Sequence, residues 1–284
     1  MRVLIIGGSG FLGTELVRLA TAAGHETAAT FATTRPDAAS KVTWHALDVR
    51  DPARVARVIS DVAASVVINA SSGKPDWAVT ADGAVRVAMA TAEQGCRLVH
   101  VSSDAVFSVA RVHYDETCFP DPITPYGAAK AAAETAVRLF VPSATVARTS
   151  LIIGHGRSVH ERAVHALAAG TRDGVLFTDD IRCPVHVEDL AAALLELALS
   201  DAAGVFHLAG PDALSRYDLG LLIAQRDGLD AARLPAGRRA DTPLPGPLDV
   251  RLDSCATQER LRTKLRGARE FLRRDGRGIH GSRE

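Results

Sequence analysis

A tyrosine and a lysine stand four residues apart in Tyr126-Gly127-Ala128-Ala129-Lys130, at the start of an alanine-rich run. On a helix this spacing places both side chains on one face, about one turn apart. A phenol has an unperturbed pKa of about 10, so a neighbouring cation must stabilise its phenolate form before it can exchange a proton at neutral pH. Lys130 can supply that cation, which makes the pair a candidate proton-transfer site. The alternative is a solvated lysine and a half-buried tyrosine on an ordinary helix.

A glycine-rich turn near the start of the chain bears on this choice. Val3 to Ile6 form a short apolar run typical of a parallel strand buried on both faces, and a helical pattern continues to Gly24. The glycines between them fit two spacings, GxGxxG from Gly8 and GxxGxxG from Gly7. Strand, glycine turn and helix in this order are typical of a dinucleotide site, where the helix N-terminus faces the phosphates. The predicted cofactor contacts in this turn are Gly7, Gly10, Phe11, Leu12 and Gly13.

The second predicted strand, Thr27 to Phe31, indicates which dinucleotide binds. An NAD-preferring site carries an Asp or Glu roughly 20 residues after the glycines. This chain has no carboxylate there and has Arg35 instead, whose guanidinium can bind a 2′-phosphate. The sequence therefore favours NADP, with NAD still possible. The alternative for Arg35 is an ordinary surface charge before Pro36.

Strands and helices alternate through residue 148, with further apolar runs at Val42–Leu47, Val66–Ile68 and Arg97–Val101. This alternation predicts an α/β fold with a doubly wound parallel sheet, Rossmann-like, and a smaller C-terminal substrate-binding region. We expect an NADP-binding domain over residues 1–153. Residues 154–284 are expected to be mainly substrate-binding, with about 187–210 returning to the sheet.

Ligands bind at the carboxyl ends of the strands in an open α/β sheet. Asp48 and Val49 follow the third predicted strand, and Asn69, Ala70 and Ser71 follow the fourth; all five are predicted cofactor contacts. Asp48 has a second interpretation as a capping group, because Asp51-Pro52 begins the next helix with an N-cap and an N1 proline. The fifth strand ends at Ser102-Ser103-Asp104.

Composition excludes several classes of protein. The 284 residues are 47% hydrophobic and 23% charged, as in an ordinary globular protein. Lys plus Arg and Asp plus Glu both number 33, so net charge points neither to nucleic acid nor to an anionic membrane. No apolar run approaches the roughly 20 residues of a membrane span, and four scattered cysteines suggest free thiols. We expect a cytoplasmic protein; a homo-oligomer is compatible with the sequence.

The C-terminal half contains fewer regular patterns. His160 and His165 superficially match a zinc motif, but five residues of spacing turn the two rings ~140° apart on a helix, so we expect no metal there. The proline-rich segment 235–247 is predicted to be a long loop near a ligand. A last helix is predicted from Ala256 to Arg274.

Taken together, these motifs resemble the extended short-chain dehydrogenase/reductases. Within that superfamily the chain is similar to the sugar-nucleotide branch typified by dTDP-4-dehydrorhamnose reductase. The resemblance covers nearly the whole chain in family order. Its motifs are the glycine turn, Val101–Phe107, Pro125–Lys130 with Glu134, Arg148-Thr149-Ser150, Arg182–Ala191 and Pro247–Asp253.

The resemblance implies reduction of a keto group on a nucleotide-linked deoxy sugar. Tyr126 would donate the proton, Lys130 would lower its pKa and contact the cofactor, and Ser103 would bind the carbonyl oxygen. Ser102 is the competing assignment, because adjacent strand residues face opposite ways. Ser103, Asp104 and Arg182 are the implied substrate contacts, Arg182 meeting a phosphate; weaker candidates for that contact are His155, Arg157 and Arg216.

The chain departs from the reductase pattern beside the implied substrate. Ala105 stands where the family usually has Tyr, and Ser108-Val109 stand where it has Asp-Gly. These departures leave the sugar open. Two alternatives also remain: a nucleotide-sugar epimerase that uses the same residues, and a non-catalytic, cofactor-sensing regulatory subunit on the same fold.

Overall fold

The computed structural model describes residues 1–36, 42–73, 75–108, 110–243 and 246–273. Val109, Leu244, Pro245 and Arg274, which enter predictions made above, lie outside the described residues. No helix in the described part of the chain is long and apolar enough to cross a membrane.

Seven parallel strands form the central sheet, in the order β12-β7-β5-β4-β1-β2-β3. The chain winds outward from β1 in both directions, which confirms the predicted doubly wound sheet. The strands are β1 Arg2–Ile6, β2 Glu26–Phe31, β3 Thr43–Ala46, β4 Val66–Asn69, β5 Arg97–Ser103, β7 Thr145–Thr149 and β12 Gly204–Leu208.

Helices cover both faces of this sheet, and alternate residues of β1 show why. Val3 and Ile5 pack with α1 and α6, whereas Leu4 and Ile6 pack on the opposite side with α2 and α3. This period of two is that of a strand buried on both faces. The helices are α1 Phe11–Ala22, α2 Pro52–Val62, α3 Gly83–Glu93 preceded by a π-helical turn Ala78–Asp82, α4 Pro125–Phe140 and α6 Val187–Ala198.

A second, smaller core lies in the C-terminal region, where Leu151, Leu219 and Ile223 belong to one buried cluster. Its helices are α5 Val159–Ala168, α7 Arg216–Asp227 and α9 Ala268–Phe271. Short two-stranded pairs lie outside the central sheet. They involve β6 His113–Tyr114, β8 Ile152–Ile153, β9 Leu176–Phe177, β10 Ile181–Arg182, β11 Val185–His186, β13 Leu214–Ser215, β14 Ala236–Gly237 and β15 Arg251–Leu252.

The predicted continuous helix from Ala256 onward is wrong. The chain forms α8 Cys255–Arg260, leaves the helix, and resumes at α9. Between them the Glu196 carboxylate accepts hydrogen bonds from the backbone N–H groups of Arg262 (2.7 Å) and Thr263 (2.9 Å). These tertiary bonds replace intrahelical ones, and helical periodicity in the sequence does not report them.

Candidate active site

The glycine turn is closed too tightly to hold side chains at two of its positions. A Cβ at Gly13 would lie 2.1 Å from the Gly7 carbonyl oxygen, so only glycine lets α1 rest on the turn. Gly7 has φ 81° and packs against the loop after β4, where a Cβ would lie 2.9 Å from the Ser71 backbone nitrogen. Gly10 is the N-cap of α1 and, having no side chain, does not cap the N–H groups at the start of the helix. The helix N-terminus therefore faces this cradle, which fits the pyrophosphate of a dinucleotide.

Tyr126 is positioned by the start of α4. The Thr124 hydroxyl accepts a hydrogen bond from the Gly127 N–H (3.0 Å), and Pro125 occupies the first turn. A Cβ at Gly127 would lie 2.0 Å from the Ala105 carbonyl oxygen. The first turn of α4 is thus pressed onto the loop that follows Ser103, which brings the phenol to the end of β5.

The two serines at the end of β5 have different partners. The Ser103 hydroxyl donates to Asp104 (3.1 Å) and accepts from the Ala105 N–H (3.2 Å), and it lowers the pKa of the neighbouring Tyr126 phenol. The hydroxyl of Ser102 points to the other side of the strand and donates to Glu134 (2.6 Å). Of the two candidates for the carbonyl contact, Ser103 is therefore the one that lies beside the phenol.

Lys130 lies one turn along α4, buried, and its ammonium donates to the Val101 carbonyl oxygen (2.9 Å). Burial lowers the pKa of Lys130 to about 8, with the Glu134 charge opposing that effect. Burial also raises the pKa of the Tyr126 phenol, against the hydrogen bonds of Ser72 and Ser103 that lower it. Desolvation of the phenolate therefore outweighs its hydrogen bonds, and the Tyr126 pKa is raised where the sequence led us to expect a lowered one.

Beneath this site lies a buried ion pair. Arg148 and Glu134 meet at 2.8 Å with side chains 1% and 3% exposed. The Arg148 guanidinium also donates to the Cys118 carbonyl oxygen (3.0 Å) and lies over the Phe107 ring (5.0 Å). The Arg148 guanidinium, on β7, therefore contacts both helix α4, through Glu134, and the loop after β5, through Phe107.

The predicted cofactor residues lie at the carboxyl edge of the sheet, close to the glycine turn. Asn69 is buried, and its side-chain oxygen accepts bonds from the Ser71 N–H (3.1 Å) and hydroxyl (2.6 Å). Asp48 pairs with Arg50 (2.7 Å), which lowers the pKa of its carboxyl. Arg35 is exposed after the end of β2. Four predicted residues remain. Val49 is buried and packs close to Gly83, Leu12 is buried and Phe11 partly buried on α1, and Ala70 is partly buried, with its carbonyl oxygen 3.0 Å from where a Cβ at Gly7 would lie.

The predicted substrate residues belong to a cluster of charges next to Ser103. Asp104 is buried and accepts a bond from the Ser150 hydroxyl (2.7 Å). Arg182 is also buried; its guanidinium lies 3.6 Å from Asp104, 2.9 Å from Asp180, and donates to the Pro247 carbonyl oxygen (2.7 Å). The guanidinium nitrogens of Arg182 therefore bind protein groups, and the bond to Pro247 holds the loop before β15 in place.

Two further arginines meet the same carboxylate and are more accessible. The guanidinium groups of Arg216 and Arg239 lie 3.4 and 3.0 Å from Asp180 Oδ2, with side chains 24% and 20% exposed. Sequence reasoning did not single out Asp180 or Arg239. The available signals were the Asp179-Asp180 pair just before β10 and the Arg238-Arg239 pair inside the predicted ligand loop.

One group among the described residues has the geometry to hold a metal ion: Glu15, His155 and Glu188 present ligand atoms within 4.8 Å of one another. Glu15 already accepts a hydrogen bond from Arg18 (3.0 Å). The His155 ring lies 3.6 Å from Glu188, so this weaker phosphate candidate faces a carboxylate. Residue spacing could not reveal the group, because its members come from α1, the segment before α5, and α6.

A parallel dinucleotide sheet with Ser103, Tyr126 and Lys130 at its carboxyl edge is the arrangement of an extended short-chain dehydrogenase/reductase. Sequence comparison then identifies the family within this class of proteins. The family model described as "RmlD substrate binding domain" matches residues 1–274, and the chain belongs to that family.

Two curated relatives and one solved structure illustrate the range of this similarity. The dTDP-4-dehydrorhamnose reductase of Mycobacterium tuberculosis is 33% identical over 263 residues, covering 87% of this chain and 82% of that protein. Methionine adenosyltransferase 2 subunit beta of Xenopus laevis is 28% identical, covering 95% and 87%. The structure of dTDP-4-dehydrorhamnose reductase from Bacillus anthracis in complex with NADP matches with a TM-score of 0.78 at 22% identity, covering 95% and 96%. This structural likeness shows the shared fold.

Proposed function

We propose that the protein reduces the keto group of a nucleotide-linked deoxy sugar with NADPH. The chain is an NAD(P)-dependent reductase by family and fold. The finer proposal covers the sugar-nucleotide substrate, the preference for NADP and the roles of Ser103, Tyr126 and Lys130.

The observation that carries this proposal is the placement of Tyr126, in the first turn of α4, against the end of β5 that bears Ser103, with the ammonium of the buried Lys130 bonded to the same strand. Two hydroxyl groups and one ammonium converge at the strand edge beside the glycine turn. An oxygen that accepts negative charge during a reduction can be bound by Ser103 and protonated by Tyr126 from this arrangement.

When a nicotinamide dinucleotide is bound at the glycine turn, it would supply the hydride. Tyr126 donates its phenolic proton to the ketone oxygen as the new C–H bond forms, and the electron pair of the C=O π bond becomes the O–H bond. Ser103 donates a hydrogen bond to that oxygen, a contribution of about 3 kcal/mol for donors of this kind. The Lys130 charge stabilises the phenolate that remains, until a solvent proton restores the phenol.

The charge cluster around Asp180 supports an anionic substrate. Three guanidinium groups, from Arg182, Arg216 and Arg239, surround the carboxylates of Asp104 and Asp180. Arg216 and Arg239 are the more accessible, so we assign them, with Arg182 behind them, to the diphosphate of the sugar nucleotide.

The test is NADPH oxidation by the purified protein with a panel of nucleotide-linked keto-deoxy sugars, including dTDP-4-keto-6-deoxyglucose. We expect turnover with at least one member, and Tyr126→Phe should lower kcat by about 100- to 10,000-fold while NADPH binding stays intact. Full activity in that variant would exclude the assigned proton donor. No turnover across the panel would exclude the substrate class.

A regulatory role is the second candidate, because one relative is named as a subunit of methionine adenosyltransferase. This role predicts tight NADPH binding with no turnover on any nucleotide sugar. An epimerase, which uses the same residues, predicts product isomers without net NADPH oxidation. Product analysis by NMR alongside the absorbance assay separates the three outcomes.

A further inference from the structure

Asp121 joins the two segments that carry Ser103 and Tyr126. Its carboxylate accepts two hydrogen bonds from Ser108, one from the backbone N–H (2.9 Å) and one from the hydroxyl. Its own N–H donates to the Val106 carbonyl oxygen (2.9 Å). Three hydrogen bonds therefore connect Asp121, in the segment before α4, to the loop after β5.

The places of these residues along the chain give the linkage its importance. Ser108 lies five residues after Ser103, and Asp121 lies five residues before Tyr126. The hydrogen bonds at Asp121 therefore close a ring of chain that contains both hydroxyl-bearing residues of the candidate site. At the other end of this ring, the close packing at Gly127 presses the first turn of α4 onto the same loop.

Ser108 is itself fixed on several sides. It is 7% exposed, its hydroxyl oxygen accepts a hydrogen bond from the Ala110 N–H (2.9 Å), and its carbonyl oxygen accepts one from the Tyr114 phenol (3.3 Å). The Tyr114 ring stacks on Phe107, with centroids 4.1 Å apart. Asp121 thus binds a well-anchored part of the loop, so the linkage fixes the segment that leads into α4.

This geometry also gives a role to one departure from the reductase pattern. Ser108 stands where the family usually has Asp, beside the implied substrate. Its N–H and hydroxyl both donate to Asp121, and its carbonyl oxygen binds Tyr114. The polar groups of Ser108 therefore bind the protein, and the carboxylate of this contact stands at position 121.

We infer that Asp121 is a positioning residue: through Ser108 it holds Tyr126 against Ser103 in the geometry that proton transfer requires. A general acid must lie within hydrogen-bond distance of the oxygen it protonates, and a displacement of about 1 Å can cost about 100-fold in rate. For its effect on turnover this inference rests on the proposed reductase chemistry, whereas the placement of Tyr126 can be measured without substrate.

The placement is tested by NMR on protein labelled with ¹³Cζ-tyrosine. The chain has three tyrosines, Tyr114, Tyr126 and Tyr217, so Tyr126→Phe assigns the resonance of interest. We expect Asp121→Ala to shift the Tyr126 resonance, while that of Tyr217, on α7, stays in place. Asp61→Ala, which removes an exposed carboxylate on α2, is the matched control and should leave all three resonances in place. An unmoved Tyr126 resonance in Asp121→Ala overturns the inference.

The effect on turnover is tested with graded variants of the linkage. Asp121→Ala removes both bonds from Ser108 and should lower kcat by about 10- to 100-fold. KM and the Kd for NADPH should change little, because the partners of Asp121, Val106 and Ser108, are not among the residues assigned to the diphosphate or the cofactor. Ser108→Ala removes one of the bonds and should give a smaller loss, which also decides the question if Asp121→Ala does not fold. Unchanged kcat in both variants would overturn the positioning role.

Exchange of the two side chains separates positioning from a general loss of structure. Ser108→Asp places a second carboxylate opposite Asp121 and should lower kcat at least as far as Asp121→Ala, because like charges repel. The double variant Ser108→Asp, Asp121→Ser again pairs one carboxylate with one hydroxyl, so it should recover most of the lost kcat and return the Tyr126 resonance towards its native position. A folded double variant that recovers neither would overturn the linkage. If the native protein turns over no nucleotide sugar, the proposed function fails, and the NMR comparison still decides whether Asp121 positions Tyr126.

Discussion

The ammonium nitrogen of Lys130 lies 2.9 Å from the carbonyl oxygen of Val101, on the strand that ends at Ser103. This single bond ties the charge on α4 to the strand beneath the phenol. The ammonium is also buried, and this desolvation of the charged form lowers the pKa of Lys130.

The lowered pKa of Lys130 predicts how activity depends on pH. A lysine is charged below its pKa, so the cation that stabilises the phenolate is present at neutral pH and is lost as pH rises through about 8. The Tyr126 pKa is raised, so the phenol stays protonated over this range. We expect kcat/KM to fall about tenfold per pH unit above this pKa. NADPH affinity measured across the same range is the control, and a limb centred near the ordinary lysine pKa of about 10.4 would contradict the assignment.

The buried Glu134–Arg148 pair predicts a large effect on stability. Glu134→Gln leaves the Arg148 charge buried without its carboxylate, which should lower the free energy of unfolding by about 3–5 kcal/mol. Urea denaturation of the native and variant proteins measures this loss. The double variant Glu134→Leu, Arg148→Met removes both charges and should be less destabilised than Glu134→Gln. If the double variant is the least stable of all, ion pairing is not the main contribution of these residues.

The position of Arg35 leads to a prediction about the preference for NADPH over NADH. Arg35→Ala removes the guanidinium assigned to the 2′-phosphate, so the Kd for NADPH should rise by about tenfold or more while that for NADH changes little. Fluorescence titration with each dinucleotide measures the difference. Arg57→Ala, an exposed arginine on α2, is the matched control. Equal losses for NADPH and NADH would show that Arg35 does not contact the 2′-phosphate.

The positions of Arg216 and Arg239 lead to a prediction about how the diphosphate of the substrate is bound. Replacing either by alanine should raise KM for the nucleotide sugar by about tenfold or more, because each loses a charge-assisted bond to phosphate. The Kd for NADPH should not change in these variants. Arg172→Ala removes an exposed arginine elsewhere and serves as the control. An unchanged KM in both variants would move the diphosphate away from the Asp180 cluster.

Local patterns in the sequence predicted the central sheet well. The strands around β1 are continuous apolar runs, and the turns between them carry glycine or capping residues, so short-range chemistry indicates where each begins and ends. The same reasoning failed after α8. There the Glu196 carboxylate, more than 60 residues earlier in the chain, binds the N–H groups that a helix would have used.

The candidate site also has parts that local sequence predicts and parts that it does not. The glycine turn and the Tyr126/Lys130 spacing could be predicted because a few consecutive residues define each of them. Arg182 was predicted to present its guanidinium to a phosphate, but Asp180 and the Pro247 carbonyl oxygen engage it in the folded protein. Asp180 lies only two residues away, but the Pro247 carbonyl oxygen comes from a loop 65 residues further along the chain, which local spacing does not report.

The sequence by itself determined the fold class, the glycine turn and the helix that carries Tyr126 and Lys130, because apolar periodicity, glycine and capping act over a few residues. Only the tertiary structure decided which groups surround the phenol and in which charge state they stand. Ser103 and Lys130 come from two separate segments, and burial sets the pKa of the lysine. Both contact and desolvation arise only when those segments pack together.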